Sequence, residues 1–139
     1  MDKIENEWSF VTRRIRNKPM FIHEDGSVSS ALFKDSQGVS VNKDHGRSSE
    51  SIVTDEERLH RLYCSEIEEI NDPEKRLVAI AAIDKTTCDE NRVYIKDDPI
   101  PDINPHHCLL QKSETEIVLT RAQAKALARG ARFIKRYAL

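Results

Sequence analysis

The chain has 139 residues, with 22 lysines and arginines against 24 acids and a formal net charge of −2. That length suits one domain. With 38% hydrophobic residues and no run near the ~18 apolar residues of a spanning helix, the composition argues against collagen-like, low-complexity and membrane-spanning classes. Near-neutral charge also argues against a general nucleic-acid coat, but the balance is uneven. Residues 121–139 hold six bases and no acid, which leaves 16 bases against 24 acids, or −8, in the first 120.

The polar, acidic start over residues 1–7 lacks the basic and apolar regions of a secretory signal. Cys64, Cys88 and Cys108 are odd in number and form no CxxC pair, so free thiols in a reducing cytoplasm are expected. Aromatic and β-branched residues over 8–15 predict a first strand. The Asp25-Gly26 turn precedes 28–33, a second strand or a short helical turn, and 39–41 alternates as a half-buried strand does. Residues 42–53, polar and rich in serine, read as a mobile loop.

Thr54-Asp55-Glu56-Glu57 has the form of a capping box. Leu59, Leu62, Tyr63, Ile67 and Ile70 follow at helical spacing, which predicts an amphipathic helix over 54–70 that ends before Pro73. The apolar run 77–83 predicts a buried strand, with a helix after Asp72-Pro73 as the alternative. Residues 92–96 predict another strand. Pro99, Pro101 and Pro105 predict a stiff, extended connection. Residues 108–110 and 116–119 read as two more strands, with a hairpin around Lys112-Ser113 as one arrangement. A second capping box, Thr120 to Gln123, opens an alanine-rich helix over 120–137. The expected fold is a small single α+β domain over 1–139, with about five to seven short strands and two main amphipathic helices, 54–70 and 120–137.

On a continuous helix, Arg121, Lys125, Arg129, Arg132 and Arg136 fall within roughly an 80° wedge. Such a stripe suits an acidic protein surface, a second copy of the chain, the acidic 54–70 helix or, third, nucleic acid. Base-stacking aromatics are scarce beside it. His60 and Cys64, four apart on one helix, and His106-His107-Cys108 together offer a Cys2His2 set. Their spacing matches no zinc pattern, so no metal and no cofactor are expected. Cys108 beside His107 is not a dyad, because adjacent strand residues face opposite ways. No phosphate loop, dinucleotide fingerprint, HExxH or GxSxG occurs.

Arg13 or Arg14, then Ser29-Ser30, then Glu114-Thr115-Glu116 resemble, in order only, the Arg, Ser-Thr-Ser and Glu-x-Glu set of ADP-ribosyltransferases. That resemblance implies an arginine on the phosphates of a dinucleotide, a serine that orders the pocket, and Glu116 on the developing positive charge. Two departures stand out: about fifteen residues separate the arginine from the serines, and no Ser-Thr-Ser occurs.

Separately, Arg14, the Ser29-Ser30-Ala31-Leu32-Phe33 segment, the Ser40-Val41 strand and Asn104-Pro105-His106-His107 are similar to motifs of a class of small uncharacterised bacterial proteins. This resemblance implies a bacterial cytosolic origin and groups Arg14, Ser29, Ser30, Asn104 and His107 as one site. The favoured expectation is a noncatalytic accessory module of a larger assembly, bound to a protein partner or to itself through segregated acidic and basic helices. The alternative is a small nucleotide-handling enzyme that uses Arg14, Ser29, Ser30 and His107 or Glu116.

Overall fold

The computed structural model describes residues 7–138, so the acidic stretch over 1–6, read above for the lack of a secretory signal, lies outside the described residues. Six strands form one antiparallel sheet: β1 Phe10–Arg16, β2 Val39–Lys43, β3 Leu77–Asp84, β4 Tyr94–Asp97, β5 His107–Gln111 and β6 Arg132–Arg136. Their order is β4-β5-β2-β1-β3-β6. The helices are α1 Ser49–Tyr63, α2 Glu66–Asn71, α3 Lys85–Glu90 and α4 Arg121–Gly130. The α+β class is as expected, with six strands and two helices longer than two turns.

The apolar run 77–83 is the strand β3. It is covered on both faces, so residues 78–83 are all buried and show no polar alternation. Its pairing with β1 sorts the first strand into two faces. Val11, Arg13 and Ile15 lie opposite Ile83, Ala81 and Ala79; Thr12 and Arg14 lie opposite Ala82 and Ile80. On the first face, Val11 and Ile15 pack in the main core with Leu32, Phe33, Val39, Leu110 and, from α4, Ala124 and Leu127. On the second face, α1 lies against β3 and β6 and buries Ile52 and Leu59. The sheet is thus sandwiched between α1 and α4.

Several boundaries differ from the sequence expectation. Residues 42–53 are not one loop: Asn42 and Lys43 finish β2, Lys43 and Asp44 are buried, and α1 begins at Ser49. Ser48 is the N-cap, its hydroxyl accepting from the Ser51 amide at 3.1 Å, and Ile52 anchors the first turn in the core. Thr54 therefore sits inside the helix. The expected 54–70 helix breaks at Cys64-Ser65, where Ser65 and Glu68 form a capping box that starts α2. Leu62, Tyr63, Ile67 and Ile70, expected in the core, are all more than half exposed; the buried face of α1 carries Ile52, Glu56, Leu59 and His60.

The expected strand 116–119 is not a strand. Two backbone bonds, Lys112 to Ile117 and Ser113 to Glu116, close a turn there. The largest correction is at the C-terminus. The capping box of Thr120 and Gln123 is present, but the helix stops at Gly130 and the chain returns as β6. A Cβ on Gly130 would lie 2.8 Å from Cγ2 of Thr87, so the tight approach of α4 to α3 ends on a residue without a side chain. Phe133 and Ile134 then favour an extended edge strand, which satisfies the free edge of β3.

Candidate functional site

β1 and β2 pair only at Val11–Lys43 and Thr12–Asn42 and then part. Arg13 fills the gap. Its Nε donates to the Leu32 carbonyl of the 3-10 turn at 2.9 Å and its Nη1 to the Ser40 carbonyl of β2 at 2.7 Å, so the side chain ties β1 to both. Burial lowers the Arg13 pKa to about 10, opposed by the nearby Asp35, and the group keeps its charge at neutral pH. Beside this split, on the α1 face, opens a cavity of about 530 Å³.

Thr12, Arg14, Asn42 and Asn104 line the cavity and belong to a polar network built on Glu56, which is 1% exposed. A carboxylate taken out of water costs several kcal/mol unless fully paired. Glu56 Oε1 accepts from Arg14 Nη1 and from Asn42 Nδ2, both at 2.8 Å, and its Oε2 accepts from Thr12 Oγ1 at 2.5 Å. Asn104 Nδ2 donates to Asn42 Oδ1 at 2.6 Å, and Asn104 Oδ1 accepts from the His106 amide at 3.1 Å. Both amides are thereby oriented, and the proline-rich loop is tied to β2. Asp102 in that loop has φ of 64°, the left-handed region that a tight turn requires, and Ile100 bridges Asn104 across it.

Arginines and a lysine line the walls, Arg13, Arg14 and Arg16 from β1 and Lys75 from the turn before β3, beside His107 from β5 and Glu68 from α2. Lys75 reaches Glu68 at 3.5 Å, whereas Arg16 has no carboxylate partner among the described residues. His107 Nδ1 donates to the Asp98 carbonyl at 2.8 Å, with Asp98 Oδ2 at 3.2 Å. Its Nε2 is then left as the free ring nitrogen.

The structure brings together Arg14, Asn104 and His107 and leaves the other grouped residues elsewhere. Ser29 caps a 3-10 turn over Ser30–Phe33, its Oγ accepting from the Ala31 amide at 3.1 Å. Neither Ser29 nor Ser30 lines the cavity. Glu116 is exposed and pairs with Lys112 at 2.9 Å. Sequence reasoning missed Glu56, Asn42, Arg16 and Lys75. The one local signal was polar Thr12 and Arg14 alternating with Val11 and Ile15 on a strand whose neighbour is apolar throughout.

The five-residue basic stripe is divided. Arg121, Lys125 and Arg129 stay together on α4, exposed, while Arg132 and Arg136 lie on β6. Arg132 pairs with Asp84 at 3.0 Å and lies over the Phe10 ring, and Arg136 lies over the Phe133 ring.

The Cys2His2 set that the sequence offers, and that was not expected to bind a metal, is not brought together. Cys108 faces the main core, where burial pushes its thiol up to about 12, and His106 contacts His45, Nδ1 to Nδ1, at 2.7 Å. One trio of metal-ligating groups does meet among the described residues: His60, Cys64 and Glu69. No helix among them is long and apolar enough to cross a membrane. No family model, no curated protein and no solved structure matches this chain.

Proposed function

We propose that the chain is a binding protein for a small anionic ligand, seated in the cleft where β1 and β2 part. One observation carries this reading: four arginine and lysine side chains and His107 converge on a cavity of about 530 Å³ with one opposing wall carboxylate, Glu68. That volume lies within the range of small-molecule sites. It suits a phosphate-bearing ligand of nucleotide size. Arg14 is held by Glu56, so it supplies a fixed donor, while Arg16 and Lys75 are the adjustable charges. This keeps the Arg14 and His107 part of the nucleotide-handling alternative. Transfer chemistry that needs Glu116 at the ligand is outside the proposal.

Calorimetric titration with AMP, ADP, NAD and inorganic phosphate at low salt tests it. At least one phosphate probe is expected to bind one to one. The pair Arg16→Glu and Lys75→Glu should weaken that binding about tenfold or more, since each reversed charge removes of order 1 kcal/mol. No saturable heat with any of the four probes would overturn the reading.

A second reading, an accessory module docking on a protein in a bacterial assembly, is favoured by a separate observation. Leu62, Tyr63, Ile67 and Ile70 stand exposed at the end of α1 and on α2, beside Glu66, Glu68 and Glu74. An apolar patch rimmed by acids suits a partner with an apolar ridge flanked by bases. Recovery of one stoichiometric partner from the host, lost on Ile67→Glu with Ile70→Glu, supports it. Recovery that is unchanged by those substitutions removes it.

A further inference from the structure

We infer that His60, Cys64 and Glu69 form a zinc(II) site whose fourth coordination position opens toward the cleft. His60 lies in the last turn of α1, and Cys64 follows one turn later at its C-cap. Ser65 then starts α2 on a new axis, which brings Glu69 back to His60, whose Nε2 it meets in a hydrogen bond. One ligand atom from each of the three residues lies within 4.8 Å of the other two.

Bonds of about 2.0–2.3 Å in a tetrahedron separate ligand atoms by about 3.3–3.8 Å. The three atoms lie within 4.8 Å of one another, so binding asks for a small adjustment of the side chains, with the Glu69 carboxylate leaving its hydrogen bond to His60. One nitrogen, one sulfur and one oxygen donor suit zinc, whereas magnesium and calcium take oxygen ligands. A thiolate and a carboxylate also balance the charge of a divalent ion. Without a cation, burial and the neighbouring Glu68 and Glu69 hold the Cys64 thiol above its ordinary value, so a metal would have to displace its proton.

A purely structural role for this corner needs only the His60–Glu69 bond, which ties α2 to α1. It makes little use of Cys64, whose sulfur has only a 3.8 Å contact to the Ser65 carbonyl. Cys64 is therefore the residue that separates the two roles. His60 and Cys64 both stand in the cleft wall, so the fourth position faces the space assigned above to an anion. Only that last point rests on the ligand-binding proposal. The metal is measured with no anion probe present, so failure of one is distinguishable from failure of the other.

The test uses the full chain, reduced, titrated with Zn²⁺ alone and with Co²⁺ as a spectroscopic substitute. One equivalent is expected to bind and to raise the melting temperature. Cobalt should show a thiolate-to-metal charge-transfer band together with the intense visible bands of four-coordination. Cys64→Ser should abolish the charge-transfer band and weaken zinc binding at least about tenfold. Glu69→Gln should weaken binding but keep the band. Apo melting curves that overlay show that both variants fold. A wild-type cobalt spectrum without the charge-transfer band, or equal zinc affinity in wild type and Cys64→Ser, overturns the site.

Discussion

The two faces of the central sheet solve opposite problems with the same strand. On one face, β1 presents Val11 and Ile15 to hydrocarbon from β3, the 3-10 turn and α4. On the other it presents Thr12 and Arg14 to the Glu56 carboxylate on α1. The first face gains stability from apolar area removed from water. The second holds a buried charge that is stable only while every hydrogen bond to it is made, and it opens into the cleft. A domain this small can keep a polar, ligand-sized space on one side because the other side supplies the packing.

Removing hydrocarbon from the packed face should have the largest effect. Leu127 is fully buried, and Leu127→Ala is expected to cost about 4 kcal/mol by lost transfer energy and the remaining cavity. Urea unfolding measures it, and a loss below ~1 kcal/mol would mean that α4 is not part of the main core. Next comes Arg14→Ala, which leaves Glu56 without its cation and should cost about 3 kcal/mol. Arg14→Met combined with Glu56→Leu should cost less than Arg14→Ala, because no charge is then left stranded. If the double variant is the worse of the two, the polar face is stabilised by its ion pair and the two faces do not differ in this way.

The smallest effect sharpens the contrast at its edge. His106 is held down to about 4 by burial, with Arg47 and His45 adding repulsion. Its unfolded value is near 6.5, so between the two values the unfolded chain binds the proton and the folded chain does not. The stability tied to His106 is therefore complete above pH 6.5 and is lost as pH falls toward about 4. His45, lowered chiefly by burial, acts in the same direction. Unfolding measured across that window should show a loss that His106→Asn reduces. An unchanged slope in His106→Asn would exclude the imidazole pair as its source.

Much of the sheet was legible because its signals are local. The apolar run 77–83 reads as a buried strand, with a helix as the alternative, the 39–41 segment alternates as a strand does, and 108–110 is a short apolar run that also proves to be a strand. The Thr120–Gln123 capping box is likewise a property of four residues. The site was legible only in part. Arg14, Asn104 and His107 could be grouped by resemblance, and they do meet at the cleft. Glu56 could not be found in that way. One acid among 24 carries no mark of burial until Thr12, Arg14 and Asn42 are known to surround it.

The distribution of charge along the chain shows where local pattern stops. The sequence by itself determined that bases gather after residue 120, that the chain is α+β and that residues 78–83 are buried. It did not determine how those bases are displayed. A helical wheel places five on one stripe, but the wheel holds only while the helix continues. Gly130 against Thr87 and the unpaired edge of β3 end it, and Arg132 and Arg136 pass to a strand. Helix propensity is worth tenths of a kcal/mol per residue, whereas an unpaired backbone group buried at a sheet edge costs more than that. Non-local pairing therefore decided the fate of the stripe, as it decided which of the two faces of β1 would hold the cleft.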